Sequence, residues 1–514
     1  MKQLFSIFNR SRPKKILEPQ LQELEGAPEY RQSLPTHKIT YLFIPYAKLK
    51  EFDTLRLFAE ELNVSIAIVR IDLAALTKGM NHKLTICMEY PYVEEFYRDT
   101  YYSFYARKHA SYNRFCFRLS FFKDDVNEAN FYDIDLKDKY YGYVTLRPTP
   151  KRIIGYSFLN PSIYSEHHFS ICLCERASFV KGRKVVTTAF PFSGQDGEMT
   201  TCAETAATML LDYFSRRYNK YSRLLPSQIA DMLSNNVVDR KQPSVGIDVD
   251  TMASVMNTFG VNTRQYYVKD DDDMEVRQYT YPKEEFNRLL HIYVESGIPI
   301  YLATRTHAKI VIGRQNKLFV HGSKMIVMDD NKRPYTILEN TDDVISFVVP
   351  MPDNILLDID DLKPYEEIKT LSGDYPAAKI SINESNERPY NQRIFLTTSR
   401  SYKSYIVKSN LNPEVRDAIM SICMPKFVWV CESFKGNAVK KTSQIALTNV
   451  AIFDATDYSS NYDNILMLKS SEKLVIPSDN KVLLKQKSFC VLDAMDILHP
   501  FNNNLKGEDV NWKC

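Results

Sequence analysis

A chain of 514 residues with 66 basic against 63 acidic side chains, a net charge of +3 and 44% hydrophobic residues predicts two to four domains of roughly 100 to 200 residues each. A single small module is excluded. The near-balanced, mixed charge offers no basic face for phosphates, so nucleic acid is not an expected partner. No run reaches the roughly 18 to 20 apolar residues that a membrane helix needs, so no membrane span is expected. The N-terminal stretch Met1 to Arg10 is too short in its apolar part for a secretory signal. Nine thinly spread cysteines read as reduced thiols, so a cytoplasmic location is expected.

Residues 1–37 are polar and contain prolines, and read as a lead-in. Ile39 to Pro45 follows as a strand, Leu49 to Leu62 has helical spacing, and Val64 to Val69 reads as a second strand, which would close a βαβ-like unit. From 85 to 160 the chain is dense in Tyr and Phe, with Tyr101 to Tyr105, Phe115 to Phe117 and Tyr140 to Val144 as examples. Strand-like aromatic alternation of this kind predicts core and sheet surface. Further strands are expected at Phe169 to Cys174 and Lys184 to Phe190. The run Asp270 to Asp273 lacks the glycine-spaced pattern of a calcium loop and reads as a solvated turn. His167, His168, Cys172 and Cys174 lack zinc-site spacing and are read as structural, and Cys87, Cys116, Cys423, Cys431, Cys490 and Trp429 as core. A polar, proline-containing stretch from Met351 to Pro376 marks a boundary. Beyond it, strands at 393–397, 426–431 and 450–454 with a helix at Pro413 to Cys423 predict a mixed α+β domain. The expected division is 1–37, 38–184, 185–352 and 353–514.

The chemistry lies in the passage from Phe190 to Glu204. After Cys202, the residues Ala203, Ala206, Ala207, Leu210, Leu211 and Phe214 form a helical apolar stripe. Thr201 and Glu204 make a Thr-x-x-Glu capping box that starts the helix there. Cys202 then sits in the first turn, where free amides and the helix dipole favour an anion, as a thiolate nucleophile requires. The same amides, with the side-chain amide of Gln195, can receive an oxyanion. Gly297 to Thr304 reads as a buried strand, and His307 stands at the mouth of the next one, Ala308 to Gly313. A hairpin of Lys317 to Val320 and Met325 to Met328 delivers Asp329, Asp330 and Asn331, any of which can orient the imidazole, although the three equally suit a plain turn.

With Gln195 ahead of a helix opened by Cys202, Gly246-Ile247-Asp248 leading into another helix, His307 heading a strand and Val327-Met328-Asp329 ending one, residues 188–350 resemble the papain-like cysteine peptidase fold. The resemblance is closest to its bacterial double-glycine-leader-peptidase-like branch. The Gln195 to Cys202 spacing is one residue longer than usual there, and Ala203 stands where many members have Gly. The resemblance implies an α+β fold in which a helix carries the cysteine and an antiparallel sheet carries the histidine and the acid, flanked by two mixed accessory domains. It implies Cys202 as nucleophile, His307 as general base and acid, Asp329 as orienting carboxylate with Asp330 close behind, and Gln195 as oxyanion donor, with no metal or organic cofactor. The expected activity is hydrolysis of an amide bond in a peptide or protein substrate through a thioester. Two other readings stay open: an inactive scaffold that binds a protein partner through its N- or C-terminal domain, and a transglutaminase-like acyl transferase.

Overall fold

The computed structural model describes residues 38–164, 169–236, 248–269, 280–315, 324–359, 362, 391–434, 445–457, 464–478 and 489–506. The chain from Ile39 onward forms one unit. It is mixed α+β, with three large antiparallel-rich sheets and a two-stranded ribbon.

The first sheet is built from β1 (Thr40–Pro45), β2 (Leu84–Tyr92), β3 (Cys116–Lys123), β4 (Tyr140–Leu146) and β5 (Ile154–Leu159), each antiparallel to the next. Between β1 and β2 run two helices, α1 (Phe52–Leu62) and α2 (Ile66–Leu76). The second of these replaces the strand expected at Val64 to Val69, and with it the βαβ-like unit. The β-branched run continues into Val69, Asp72, Leu73 and Leu76, which are buried at helical spacing, and Ser65 caps the helix by accepting from the Ala67 amide at 3.3 Å. A second departure is α3 (Glu95–Ser103), which takes up the first part of the Tyr101 to Tyr105 cluster. Glu94 accepts from the Phe96 and Tyr97 amides at 3.0 and 2.6 Å, so a cap decides against the strand there. Along β2, Ile86 and Met88 face the core shared with α1 and α2, while Cys87 faces a smaller cluster with Phe122 and Phe131.

The second sheet has the strand order Thr280–Tyr281, Asn262–Val268, Val344–Met351, Ile300–Thr304, Ala308–Gln315, Met325–Met328 and Thr336–Leu338. Preceding it in the chain are β6 (Phe169–Ile171), the ribbon β7 (Cys174–Val180) and β8 (Arg183–Ala189), the short β9 (Phe192–Ser193), and the helices α4 (Cys202–Arg217), α5 (Pro226–Asn236) and α6 (Val249–Phe259). The sheet strands are β10 (Asn262–Val268), β11 (Thr280–Tyr281), β12 (Ile300–Thr304), β13 (Ala308–Gln315), β14 (Met325–Met328), β15 (Thr336–Leu338) and β16 (Val344–Met351), with α7 (Lys283–Glu295) before β12. Two short strands stitch the layers together. β9 joins the edge of β5 in the first sheet, and β6 joins β13 beyond the end of β12. Gly313 permits that second docking, because a Cβ there would meet the Ser170 carbonyl oxygen at 2.1 Å.

Alternation along β12 and β13 shows how the second sheet is covered. Tyr301, Ala303, Ile310 and Ile312 pack with the α4 stripe, which is buried from Ala203 to Phe214 as its spacing predicts. Ile300, Leu302 and Val311 face the other way, toward Phe286, Leu290 and Tyr293 of α7. That layer runs on to Trp429, Cys431 and Phe453 of the third sheet, an antiparallel meander of β17 (Asn391–Thr398), β18 (Phe427–Phe434), β19 (Leu447–Asp454), β20 (Ile465–Lys469), β21 (Lys473–Pro477) and β22 (Phe489–Asp493). The expected strands and the helix Pro413–Ser421 of this region are present. Cys423, read as core, is exposed, because it lies just past the end of that helix, whereas Cys87, Cys116 and Cys431 are buried.

Candidate active site

The site forms where the start of α4 meets the mouth of β13. Thr201 caps the helix in an extended conformation, and Glu204 reaches back to accept from the Thr201 amide at 3.2 Å and from its hydroxyl. Cys202 therefore stands in the first turn, half-buried. The loop before it is held by Asp196, which sequence reasoning passed over. One oxygen of this buried carboxylate accepts from the amides of Glu198, Met199 and Thr200 at 2.8, 2.9 and 2.9 Å. Gly197 within that turn has φ +70°, a left-handed conformation suited to glycine. The Asp196-Gly197 turn chemistry was the available signal.

His307 is positioned by backbone contacts. The tight connection from β12 to β13 is closed by Thr304, whose amide donates to the His307 carbonyl at 2.8 Å and whose hydroxyl oxygen accepts the His307 amide at 3.0 Å. β14 runs antiparallel to β13 with Ile310 opposite Met328, so the residues that follow β14 arrive beside the histidine. His307 Nε2 lies 2.8 Å from Asp329 Oδ1, 3.4 Å from Asp330 Oδ1 and 3.4 Å from Asn331 Nδ2. Asp329 is thus the partner of the imidazole. The Nε2 proton goes to Asp329, which makes the approach of Asn331 Nδ2 a contact rather than a hydrogen bond. Asn331 instead gathers the surroundings. Its amide donates to Asp329 Oδ1 at 3.1 Å, and its side-chain oxygen accepts from Gln195 Nε2 at 2.5 Å and from Arg152 Nη2 at 3.2 Å. Arg152, on the turn into β5, is a second residue that sequence reasoning missed, since no local pattern tells that the first sheet reaches this site.

The electrostatics follow from this packing. Burial alone would lower the His307 pKa, but the hydrogen bonds to Asp329 and to the Cys202 side chain and the charges of Asp330 and Asp329 outweigh it and push the value up to about 10. Asp329 moves the opposite way: burial opposes its charge, yet the His307 hydrogen bond and charge, the Asn331 amide and Lys309 hold it below the usual carboxylate range. Asp330 is 3% exposed, and its burial together with the neighbouring Asp329 charge outweighs the charges of His307 and Arg152 and pushes it to about 7. All five sequence-predicted residues, Gln195, Cys202, His307, Asp329 and Asp330, converge on this one place. Nε2 of His307 and the carboxylate oxygens of Asp329 and Asp330 also lie within 4.8 Å of one another and form a potential set of metal ligands.

A cavity of about 320 Å³ lined by Tyr218, Pro350, Thr398 and Phe427 lies at the other end of α4, and none of these five residues lines it. Cys172 and Cys174 are buried, with burial pushing both thiols up to about 12. Gly246, Ile247, His167, His168, Asp270 to Asp273, Lys317 to Val320, Cys514, residues 1–37 and most of the expected boundary from Met351 to Pro376 lie outside the described residues. Among the described residues no helix is long and apolar enough to cross a membrane. No family model matches the chain, and no curated protein with detectable sequence similarity to it is found.

Proposed function

We propose that this protein is a cysteine hydrolase built on a papain-like core, which cleaves an amide bond of a peptide or protein through a thioester. The observation that carries the reading is the imidazole of His307, held through Nε2 by Asp329 at 2.8 Å, with the Cys202 side chain among the groups that raise its pKa. With Nε2 committed, Nδ1 is the nitrogen left for the sulfur. A protonated imidazole beside Cys202 provides the positive charge next to which a cysteine works as a thiolate.

In this reading the Cys202 sulfur attacks the carbonyl carbon, and the carbonyl π pair moves to oxygen. The first-turn amides of α4 receive the oxyanion. Gln195 adds a donor, since Asn331 occupies only one of its two side-chain N–H groups. Collapse breaks the C–N bond as His307 passes its proton to the departing amine. Water then attacks the thioester, His307 takes its proton, and the sulfur leaves. Asp329 keeps the ring oriented and balances its charge throughout.

The test compares iodoacetamide labelling at every cysteine, read by peptide mass spectrometry, in wild type and His307→Ala, together with turnover of a peptide library. Cys202 is expected to label fast below about pH 7, to lose that advantage without His307, and to be required for turnover with Cys202→Ala still folded. Turnover that survives in Cys202→Ala sinks the proposal.

A further inference from the structure

We propose that His307, Asp329 and Asp330 form a divalent-cation site that takes one zinc-class ion and switches the Cys202–His307 pair off. The starting observation is Asp330. Its carboxyl is 3% exposed, neither oxygen reaches a hydrogen-bond partner, and one of them lies 3.4 Å from His307 Nε2. A carboxylate buried without donors is costly, and buried charges are normally paired or bound to metals.

The spacing fits a metal. Ligand atoms held about 2.0 to 2.2 Å from a tetrahedral zinc lie about 3.4 Å apart. Here the Nε2 to Oδ1 separations are 2.8 Å for Asp329 and 3.4 Å for Asp330. An ion in the place of the Nε2 proton therefore meets one imidazole and two carboxylates after sub-ångström shifts. A cavity of about 20 Å³ bordered by Asp330, Asn331 and Arg152 has room for roughly one water on the Asp330 side of the cluster. The nearest lysines, Lys309 at 3.9 Å and Lys332 at 4.0 Å, sit against the other Asp329 oxygen, Oδ2, and leave Oδ1 to the ion. The Arg152 guanidinium is engaged by the Asn331 side chain and carbonyl.

Binding there has a direct chemical consequence, and this part rests on the acyl-transfer reading. An imidazole with a metal on Nε2 keeps its remaining proton on Nδ1, the nitrogen that serves the sulfur in the acyl-transfer reading, so it can no longer accept a proton from Cys202 or from water. The ion also displaces the Asp329 hydrogen bond that orients the ring.

The untagged full-length chain, stripped with a chelator, is titrated with Co²⁺ and followed by visible absorption, with Zn²⁺ as competitor. Iodoacetamide labelling of Cys202 is measured on the same samples. Wild type and Cys202→Ala are expected to take up one Co²⁺ per chain, displaced by Zn²⁺, with the affinity falling more than about tenfold in Asp330→Asn and in Asp329→Asn. Labelling of wild-type Cys202 slows as the ion binds. Absence of saturable uptake by the wild type overturns the proposal without recourse to any variant, and so does undiminished uptake by correctly folded Asp330→Asn and His307→Ala. Uptake in a protein whose Cys202 is unreactive even without metal upholds the cation site and overturns the acyl-transfer reading.

Discussion

Asn331 lies at the centre of the site's polar contacts. Through it Gln195, Arg152 and Asp329 are connected, and it brings the loop before α4, the first sheet and the end of β14 to within reach of one imidazole. Asp329 then decides how basic that imidazole is. Asp329→Asn, studied in chelator-treated buffer, is expected to bring the His307 titration down from about 10 toward its ordinary 6.5, as followed by NMR of the ring protons. The sign for stability follows. His307 binds its proton more tightly in the folded chain, so its contribution is complete below about 6.5 and fades as pH rises through about 10. Wild-type unfolding free energy should therefore decline over that window, and that of Asp329→Asn should decline less. An unmoved His307 titration would show that Asp329 is not the group that raises it.

At the scale of elements, the capping box and apolar stripe place Cys202 at a helix start, and both were legible because they are local patterns of hydrogen-bonding and apolar side chains. The strand expected at Val64 to Val69 failed because a six-residue β-branched window is too short to separate a strand from the first turns of a helix. The aromatic cluster at Tyr101 to Tyr105 failed because a glutamate cap upstream outweighed composition. The loop from Gln195 to Thr201 is an element in its own right, held by one carboxylate under three amides. Asp196→Ala is expected to cost about 1 to 3 kcal/mol in denaturant unfolding. It should also slow Cys202 labelling, because the loop sets where α4 begins. Labelling that matches the wild-type rate would mean that the helix start holds without the turn.

For the molecule as a whole, the second and third sheets are tied by a buried ion network. Glu295, at the end of α7, accepts from Arg314 of β13 and from Arg393 of β17, with Arg393 Nε at 2.7 Å, and Arg393 also reaches Glu432 of β18 at 3.1 Å and the Phe501 carbonyl at 2.5 Å. Burial opposes the Glu295 charge, but the two guanidiniums hold its pKa down at about 2. Glu295→Gln leaves two buried cations undercompensated and is expected to cost about 3 to 5 kcal/mol by denaturant unfolding. Since the folded-state pKa is lowered, the stabilisation is present above the unfolded value of about 4.5 and is lost as pH falls toward about 2. The difference between wild type and variant should shrink over that window. A constant difference would place the effect in packing rather than charge.

The sequence by itself determined the helix that begins at Cys202, the strand headed by His307, the acidic turn after Met328 and the mixed α+β character, because each is written in residues close together along the chain. Only the tertiary structure decided which acid meets the histidine: the resemblance put Asp329 just ahead of Asp330, and the register of β14 against β13 brings Asp329 to 2.8 Å from the ring. Arg152 entered the site, Gln195 gained an anchor in Asn331, and Asp330 was left without a hydrogen-bond partner, for the same reason. These relations join residues more than a hundred positions apart or fix the direction of a side chain, and no local periodicity encodes either.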